Sequence, residues 1–359
     1  MEGRLEHQPA LDGLRGVAVL AVIAFHLWPD LLPGGFLGVD TFFVVSGYLI
    51  TGLLLAEHRA SGGIDLRAFW LRRARRLLPA LFVLLSVVAA AAAAWWPAQD
   101  LARVRGDALA GLGYVANWHA LAGGDGYFDS VRGPSPLGHL WSLAIEEQFY
   151  VVWPLVLLAV LRRRSGAGAR AARSVAVVAA AGIVASVAAL VLLRGDLDRA
   201  YYGTDTRLHA LLVGALLATV LPIGAAGRRV RPGLATAALV ASAASWFLVD
   251  ETAAWLFTVG LPLHAALTAL VIAGAVGGGK APAVLTHAWT VAVGRVSYGL
   301  YLWHWPVIVV LTPGRTGLGG AGLLTLRAAV TVGLTVLSYR FVEQPVRRLR
   351  VTGRRLLVL

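Results

Sequence analysis

Ten long apolar stretches, separated by shorter polar segments, occupy most of this 359-residue chain. A helix needs about 20 mostly apolar residues to cross the hydrocarbon core of a bilayer, and each stretch approaches that length. Helices are the expected form because lipid offers no hydrogen-bonding partner to an open backbone. The pattern predicts an all-α polytopic membrane protein, a bundle of about ten transmembrane helices over residues 11–28, 36–55, 78–96, 141–161, 174–193, 206–222, 233–249, 254–275, 293–312 and 321–341.

The arginines indicate which loops of the bundle face the cytoplasm, because the cytoplasmic loops of membrane proteins are enriched in Arg and Lys. The basic segments alternate along the chain with loops that lack arginine, such as 29–35 and 250–253. Placing the basic segments in the cytoplasm puts both termini there as well. These segments are residues 59–76, 162–173, 228–231 and the tail from Arg340.

The domain organisation follows from this topology. We expect one transmembrane domain over residues 1–345 and a short basic cytoplasmic tail at 346–359, in the inner (plasma) membrane of a bacterium. Residues 107–121 are a marginal further span. We interpret them as an outer-face or re-entrant helix within a long outer loop at 97–140, because an eleventh crossing would invert every later loop.

The amino-acid composition excludes several kinds of chemistry. Hydrophobic residues make up 58% of the chain and charged residues 14%, and the mean hydropathy of +0.72 lies outside the range of ordinary globular chains. The net charge of +13 reflects the arginine loops, so we expect no nucleic-acid partner. The absence of cysteine excludes thiolate chemistry and disulfides. No metal-ligand spacing or phosphate-binding glycine loop is present, and no metal is expected.

Arg15 and His26 lie in the same apolar stretch. In a helix, eleven steps of about 100° return to within roughly 20° of the start, so the two side chains share a face about 16 Å apart. A mid-membrane arginine costs roughly 2.5 to 3.5 kcal/mol, which usually indicates function. The predicted topology puts Arg15 near the cytoplasm and His26 in the outer half. The alternative is an anchoring Arg15 and a His26 that caps the helix.

Further polar residues are predicted near His26. Asp40 begins the second span and Glu146 the fourth, both at the outer end, where a carboxylate can orient an imidazole and raise its basicity. His304 lies in the penultimate span, and Trp118 belongs to an aromatic outer loop suited to stacking on a polar ligand. Each also has a structural explanation, as an interfacial anchor or a packed core residue.

A run of arginines precedes the third span, at positions 72, 73, 75 and 76. On a helix, several pairs of these guanidinium groups can present a fork to one side, which suits phosphates. The alternative is an amphipathic segment that binds lipid headgroups and fixes the topology.

Six motifs follow one another along the chain. They are Leu11–Gly16 with His26, Gly38–Thr51, Arg73 with Arg76, Trp141–Tyr150, Ser297–Val307 and Tyr339–Pro345. In this order they resemble the membrane-bound acyltransferase 3 family, and the resemblance covers nearly the whole chain. Such enzymes O-acylate carbohydrates and some small molecules. The resemblance implies that an acyl group, usually acetyl, moves from cytoplasmic acyl-CoA to a hydroxyl at the outer face.

The resemblance also implies roles for individual residues. His26 is the expected catalytic base, or it carries the acyl group as a transient acyl-histidine. Asp40 and Glu146 are expected to orient His26 or the acceptor. The acyl-CoA donor is expected to contact Arg15, Arg72, Arg73 and Arg76, and the acceptor Trp118, Tyr150 and His304.

The acceptor is expected to be a carbohydrate, a lipid-linked glycan or another glycosylated molecule. Some relatives carry a soluble C-terminal SGNH-type domain that receives or transfers the acyl group, and this sequence shows none. We therefore expect direct acylation or a separate acyl-accepting protein.

Two other functions fit intramembrane Arg, His and Glu residues. A proton-coupled transporter would use them as an ion path, although it would more often show a repeated half with matching Gly or Pro breaks. A lipid-linked glycan flippase or polymerase fits the basic inner loops and aromatic outer loops. The ordered motifs favour the acyltransferase.

Overall fold

The structure, a computed structural model, describes residues 8–124, 134–163, 169–223, 231–276 and 281–348. All regular secondary structure in these ranges is helical, as predicted. A 3₁₀ turn precedes α2 at Gly35–Leu37, and π-helical turns precede α11 at Leu256–Gly260 and α17 at Tyr339–Glu343. The α-helices are α1 (Pro9–Leu27), α2 (Gly38–Ser61), α3 (Leu66–Trp95), α4 (Ala98–Leu112), α5 (Ala116–Gly123), α6 (Leu140–Arg162), α7 (Ala169–Leu193), α8 (Leu197–Tyr202), α9 (Thr204–Val220), α10 (Pro232–Leu248), α11 (Leu261–Val276), α12 (Ala283–Thr286), α13 (Ala288–Arg295), α14 (Ser297–Val310), α15 (Pro313–Thr316), α16 (Gly320–Ser338) and α17 (Gln344–Arg348).

The helices agree with a polytopic membrane protein. In the described part of the chain, seven helical segments are long and apolar enough to cross a membrane. Three other predicted spans correspond to shorter helices: α9 and α10 have 17 residues each, and α14 has 14. The count of ten crossings and the cytoplasmic termini therefore stay predictions. Most of the predicted tail, residues 349–359, lies outside the described residues.

The arginine run and the third predicted span form one continuous helix. The 30-residue α3 begins where the Asp65 side chain accepts a hydrogen bond from the Ala68 backbone N–H at 2.9 Å, which satisfies one of the free donors of the first turn. The predicted span at 78–96 is therefore the continuation of the arginine segment. Because the helix is continuous, the orientation of its apolar part also determines which way Arg73 and Arg76 point.

Residues 107–121 form parts of two helices instead of one. α4 ends at Leu112 and α5 begins at Ala116, and Tyr114 between them has a left-handed φ of 53°. The Asn117 side-chain amide donates to the Tyr202 carbonyl at 3.0 Å, which ties α5 to the end of α8. The chain reversal places both helices against one end of the bundle.

Two glycines allow α2 and α9 to pack closely. A Cβ atom on Gly47 would lie 1.8 Å from the Leu211 carbonyl oxygen, and one on Gly214 would lie 2.0 Å from the Val44 carbonyl oxygen. Small residues of this kind let helix backbones approach each other inside membranes. Asp40 and Arg207 each precede these glycines by seven residues, or about two turns, so they meet on the same face of this helix pair.

Candidate active site

His26 and His304 form the centre of a histidine cluster. The His26 Nδ1 atom lies 2.9 Å from the Val22 carbonyl oxygen and 3.3 Å from His304 Nε2. His304 Nδ1 lies 2.7 Å from the Tyr301 carbonyl oxygen. The ring of His139 is 5.8 Å from that of His304, measured between centroids.

These contacts assign the tautomers of both rings. A carbonyl oxygen only accepts hydrogen bonds, so Nδ1 carries the proton in His26 and in His304. His304 Nε2 is then an acceptor for the His26 Nδ1–H. No described residue hydrogen-bonds His26 Nε2, which keeps its lone pair. This is the arrangement that a histidine base requires, with one nitrogen fixed by its neighbours and the other ready to take a proton.

His26 opens into a cavity of about 1300 Å³ that we call the histidine cavity. Its aromatic walls include Trp141, Tyr202 and Trp305, and the indole ring of Trp305 lies 4.6 Å from the His26 ring. Such walls can stack against the apolar faces of a sugar ring. His139 also lines this cavity, and burial lowers its pKa to about 3, so the imidazole is neutral at pH 7.

Two carboxylates line the histidine cavity, and neither is one of those predicted. Asp107 accepts a hydrogen bond of 2.6 Å from the Ser135 hydroxyl and lies 3.4 Å from His119. Glu251 has an Oε2 atom that is buried without a hydrogen-bond partner among the described residues. Burial, assisted by the neighbouring Asp250 charge, raises the pKa of Glu251 to about 7.

A second cavity, the arginine cavity, is lined by Arg15, Arg73, Arg76, Glu146 and Tyr150. The Arg73 guanidinium lies over the Tyr150 ring, 5.3 Å from its centroid. Glu146 Oε1 accepts hydrogen bonds from the Tyr150 hydroxyl, at 2.5 Å, and from the Ser46 hydroxyl. The cavity thus combines guanidinium groups with one carboxylate whose position is fixed.

The two cavities lie side by side and share part of their walls. Val39 and Tyr301 belong to the walls of both. Helix α1 passes both cavities, with Arg15 in the arginine cavity and His26 in the histidine cavity. The predicted helix over residues 11–28 is confirmed, and the two side chains occupy different compartments along it.

The structure corrects the expected role of Asp40. Its Oδ2 atom accepts a hydrogen bond from Arg207 Nη2 at 2.7 Å, and both side chains are fully buried. The Arg207 guanidinium also lies over the Tyr201 ring at 4.8 Å. Asp40 lines neither cavity, so it does not orient His26. The sequence could not identify this partner, because 167 positions separate the two residues.

Four further predicted residues lie elsewhere than expected. Glu146 and Tyr150 line the arginine cavity, whereas we expected Glu146 near His26 or the acceptor and Tyr150 at the acceptor. Arg72 lies outside that cavity and pairs with Glu57 at 3.5 Å. The Trp118 ring lies under the Arg199 guanidinium at 5.2 Å and lines neither cavity. His304, by contrast, lies beside His26 as expected.

Nothing in the sequence indicated Glu251 or Asp107 as residues of the site. Glu251 occupies a short loop with no motif, and only its place in the cavity wall, beside residues such as His26 and Trp305, reveals its position. Within the described ranges, no three histidine or carboxylate side chains are arranged to hold a metal ion.

An all-helical multi-pass membrane protein with two adjoining polar cavities is the class that these features define. The chain belongs to the acyltransferase 3 family, whose profile, described as an acyltransferase domain, matches residues 8–341. This confirms the resemblance found in the sequence.

Curated relatives cover nearly all of the chain. YrhL of Bacillus subtilis (strain 168), provisionally named a peptidoglycan O-acetyltransferase, is 39% identical over 94% of this chain and 55% of its own length. The peptidoglycan O-acetyltransferase OatA of Listeria monocytogenes is 38% identical over 96% of this chain and 56% of its own length. The chain thus spans little more than half the length of these relatives. No solved structure gives a significant match.

Proposed function

We propose that the protein is an O-acetyltransferase that moves an acetyl group from acetyl-CoA in the arginine cavity to a hydroxyl in the histidine cavity. Family membership and the names of the relatives support this reaction class. The observation that carries the proposal is the wall that the two cavities share at Val39 and Tyr301, with guanidinium groups on one side and His26 on the other.

The donor side matches the charge of coenzyme A. Arg15, Arg73 and Arg76 line one cavity, and guanidinium forks bind phosphate oxygens through paired charge-assisted hydrogen bonds. The Tyr150 ring holds Arg73 in place and so lowers the entropy lost on binding. In the predicted topology this cavity opens to the cytoplasm of the inner (plasma) membrane, where acyl-CoA is made.

The acceptor side provides the base. His26 Nε2 takes the proton of the acceptor hydroxyl while the hydroxyl oxygen attacks the thioester carbonyl carbon, and the carbon–sulfur bond breaks. The CoA thiolate leaves and recovers the proton from the imidazolium. A proton transfer of this kind contributes about 10²- to 10⁴-fold to the rate. An acyl-histidine formed at the same nitrogen is the two-step alternative.

The acceptor class follows from the walls and from the relatives. The aromatic rings of the histidine cavity suit a sugar, and the names of the relatives indicate a cell-envelope glycan. We propose a carbohydrate or lipid-linked glycan acceptor at the outer face, acylated directly or through a separate acyl-accepting protein.

Acetyl-CoA binding separates donor and acceptor roles. In lipid nanodiscs, Arg76→Ala should weaken acetyl-CoA binding at least about ten-fold, since it removes a charge-assisted contact. Arg67→Ala is the matched control, because Arg67 is exposed on the same helix and outside the cavity. His26→Ala should keep acetyl-CoA binding and lose acetyl transfer. Acetyl-CoA binding no tighter than that of an unrelated anion would refute the proposal.

Site-specific labelling tests the direction of transfer. The chain has no cysteine, so single cysteines can be introduced without background. A cysteine at Gly124 should react with an impermeant maleimide on intact cells, and one at Gly63 only after permeabilisation. The reverse pattern would place the arginine cavity on the wrong side for cytoplasmic acetyl-CoA.

A further inference from the structure

A third cavity adjoins the histidine cavity and has no role in the reaction described above. This side cavity has a volume of about 1050 Å³, and its walls include Trp96, Asp100, Arg315 and Arg327. Arg103 and Trp305 line both the side cavity and the histidine cavity. Arg103 and Trp305 are therefore placed to contact ligands in either cavity.

Trp305 forms the partition between the two spaces. Its indole N–H donates to the Ser135 carbonyl at 2.7 Å, which fixes the plane of the ring. The ring contacts His26 and also lines the side cavity. A glycan is a linear chain of rings, so a sugar placed with its hydroxyl at His26 has its neighbour near this indole.

The wall of the side cavity is rich in positively charged side chains. Three arginines and one aspartate are among its described wall residues, Arg103, Arg315, Arg327 and Asp100. In the predicted topology, this is the outer end of the bundle, where the short loops at 29–35 and 250–253 contain no arginine. Arginines at this end do not serve the positive-inside pattern, so their collection around one cavity calls for a ligand.

Arg327 and Arg315 differ in how many of their guanidinium hydrogen bonds are made within the protein. Arg327 donates to the Leu311 and Ile308 carbonyls at 3.0 and 3.2 Å, which satisfies free acceptors at the end of α14. Arg315 lies over the Trp96 ring, 4.4 Å from its centroid, and among the described residues its guanidinium group donates only to the Val310 carbonyl, at 3.3 Å. The stacked Arg315 guanidinium keeps most of its five donors in a fixed plane.

We propose that the side cavity binds an anionic group of the acceptor, a carboxylate or phosphate on the sugar next to the one that is acylated, with Arg315 and Arg103 as its ligands. The inference deepens the proposed O-acetyltransferase function and rests on it. It makes the enzyme selective for acidic glycans through a contact one sugar away from the reacting hydroxyl.

Direct binding tests the proposal without relying on turnover. The probes are a uronic-acid oligosaccharide and its carboxyl-reduced, neutral counterpart, titrated calorimetrically into the full chain in neutral phosphatidylcholine nanodiscs. The unsubstituted protein should bind the acidic probe about ten-fold more tightly than the neutral one. Arg315→Gln should abolish this preference, the loss expected for one charge-assisted contact.

Matched variants give the control. Arg103→Gln should reduce the preference, whereas Arg105→Gln, two positions along the same helix but exposed and outside the cavity, should leave it unchanged. Equal binding of the two probes to the unsubstituted protein, or an unchanged preference in Arg315→Gln, would overturn the proposal.

A lipid headgroup offers the same anionic chemistry from another source. Repeating the titration in nanodiscs with phosphatidylglycerol distinguishes the two, because the preference for the acidic oligosaccharide should persist. A preference abolished by phosphatidylglycerol would assign the cavity to lipid and overturn the proposal. Acetyl-CoA binding, measured separately, should be unaffected by Arg315→Gln. Failure of acetyl-CoA to bind the unsubstituted protein would instead refute the proposed function.

Discussion

The buried pair of Asp40 and Arg207 offers the sharpest test of structure against sequence. The motif around Asp40 indicated a catalytic carboxylate, whereas the structure assigns it to a fully buried ion pair with a 2.7 Å contact. Asp40→Asn keeps the shape of the side chain and leaves the Arg207 charge without a counter-charge. Breaking a buried pair in this way costs about 3 to 5 kcal/mol of folding free energy.

That cost is large enough to measure. It corresponds to a roughly 100- to 4000-fold shift toward the unfolded state, because each 1.4 kcal/mol is a factor of ten. Removing both charges with Asp40→Asn and Arg207→Leu should restore most of the stability, since a buried pair replaced as a whole is often nearly neutral. The double variant should therefore be more stable than either single variant.

The protein is suited to the assay. Twelve tryptophans report unfolding by intrinsic fluorescence in detergent. Acetyl transfer, expressed per folded molecule, is measured on the same samples. We expect the double variant to retain substantial transfer. Single variants as stable as the unsubstituted protein would refute the energetic argument. A stable double variant as inactive as His26→Ala would restore Asp40 to the chemistry.

Three further predictions concern packing, protonation and orientation. Gly47→Ala should lower stability by about 1 to 3 kcal/mol through overpacking against α9, measured by thermal unfolding, whereas Gly63→Ala, with open space around it, should not. The raised pKa of Glu251, about 7, means that the folded state binds this proton more tightly than the unfolded state, so the unfolding temperature of the unsubstituted protein should fall relative to that of Glu251→Gln as pH rises from about 5 to 7. Asp250→Asn removes the assisting charge and should make this relative fall smaller. His304→Gln should lower acetyl transfer about ten-fold, the worth of one hydrogen bond, with acetyl-CoA binding unchanged, and an equal loss of binding would contradict a positioning role.

Helices and the faces they present could be predicted from the sequence, because they depend on residues that are close together in the chain. Apolar length indicated helices, and the helical repeat placed Arg15 and His26 on one face of α1. The arginine run indicated a phosphate-binding surface, although only Arg73 and Arg76 reach the cavity. Arg72 begins the same run but turns toward Glu57, a distinction that depends on how α2 packs against α3.

Contacts between distant segments could not be predicted. Depth in the membrane suggested that Asp40 and Glu146 lie near His26, but residues at one depth can face different neighbours around a bundle. Asp40 faces α9 and Glu146 faces α2. Glu251 gave no signal because a carboxylate in a short polar loop is ordinarily solvated. Only the tertiary arrangement shows that its carboxylate is partly removed from water.

The wall between the two main cavities bears on the acyl group itself. The Tyr301 hydroxyl donates to the His139 carbonyl at 3.0 Å and contacts the Ser142 hydroxyl at 2.5 Å, so the ring is held by one residue from the wall of each cavity. Val39, the other shared wall residue, is buried and has few conformations. In the proposed reaction, the thioester carbonyl must pass these two side chains to reach His26. A short acyl group disturbs the hydrogen-bonded tyrosine least, so we expect acetyl to be transferred faster than a longer acyl group.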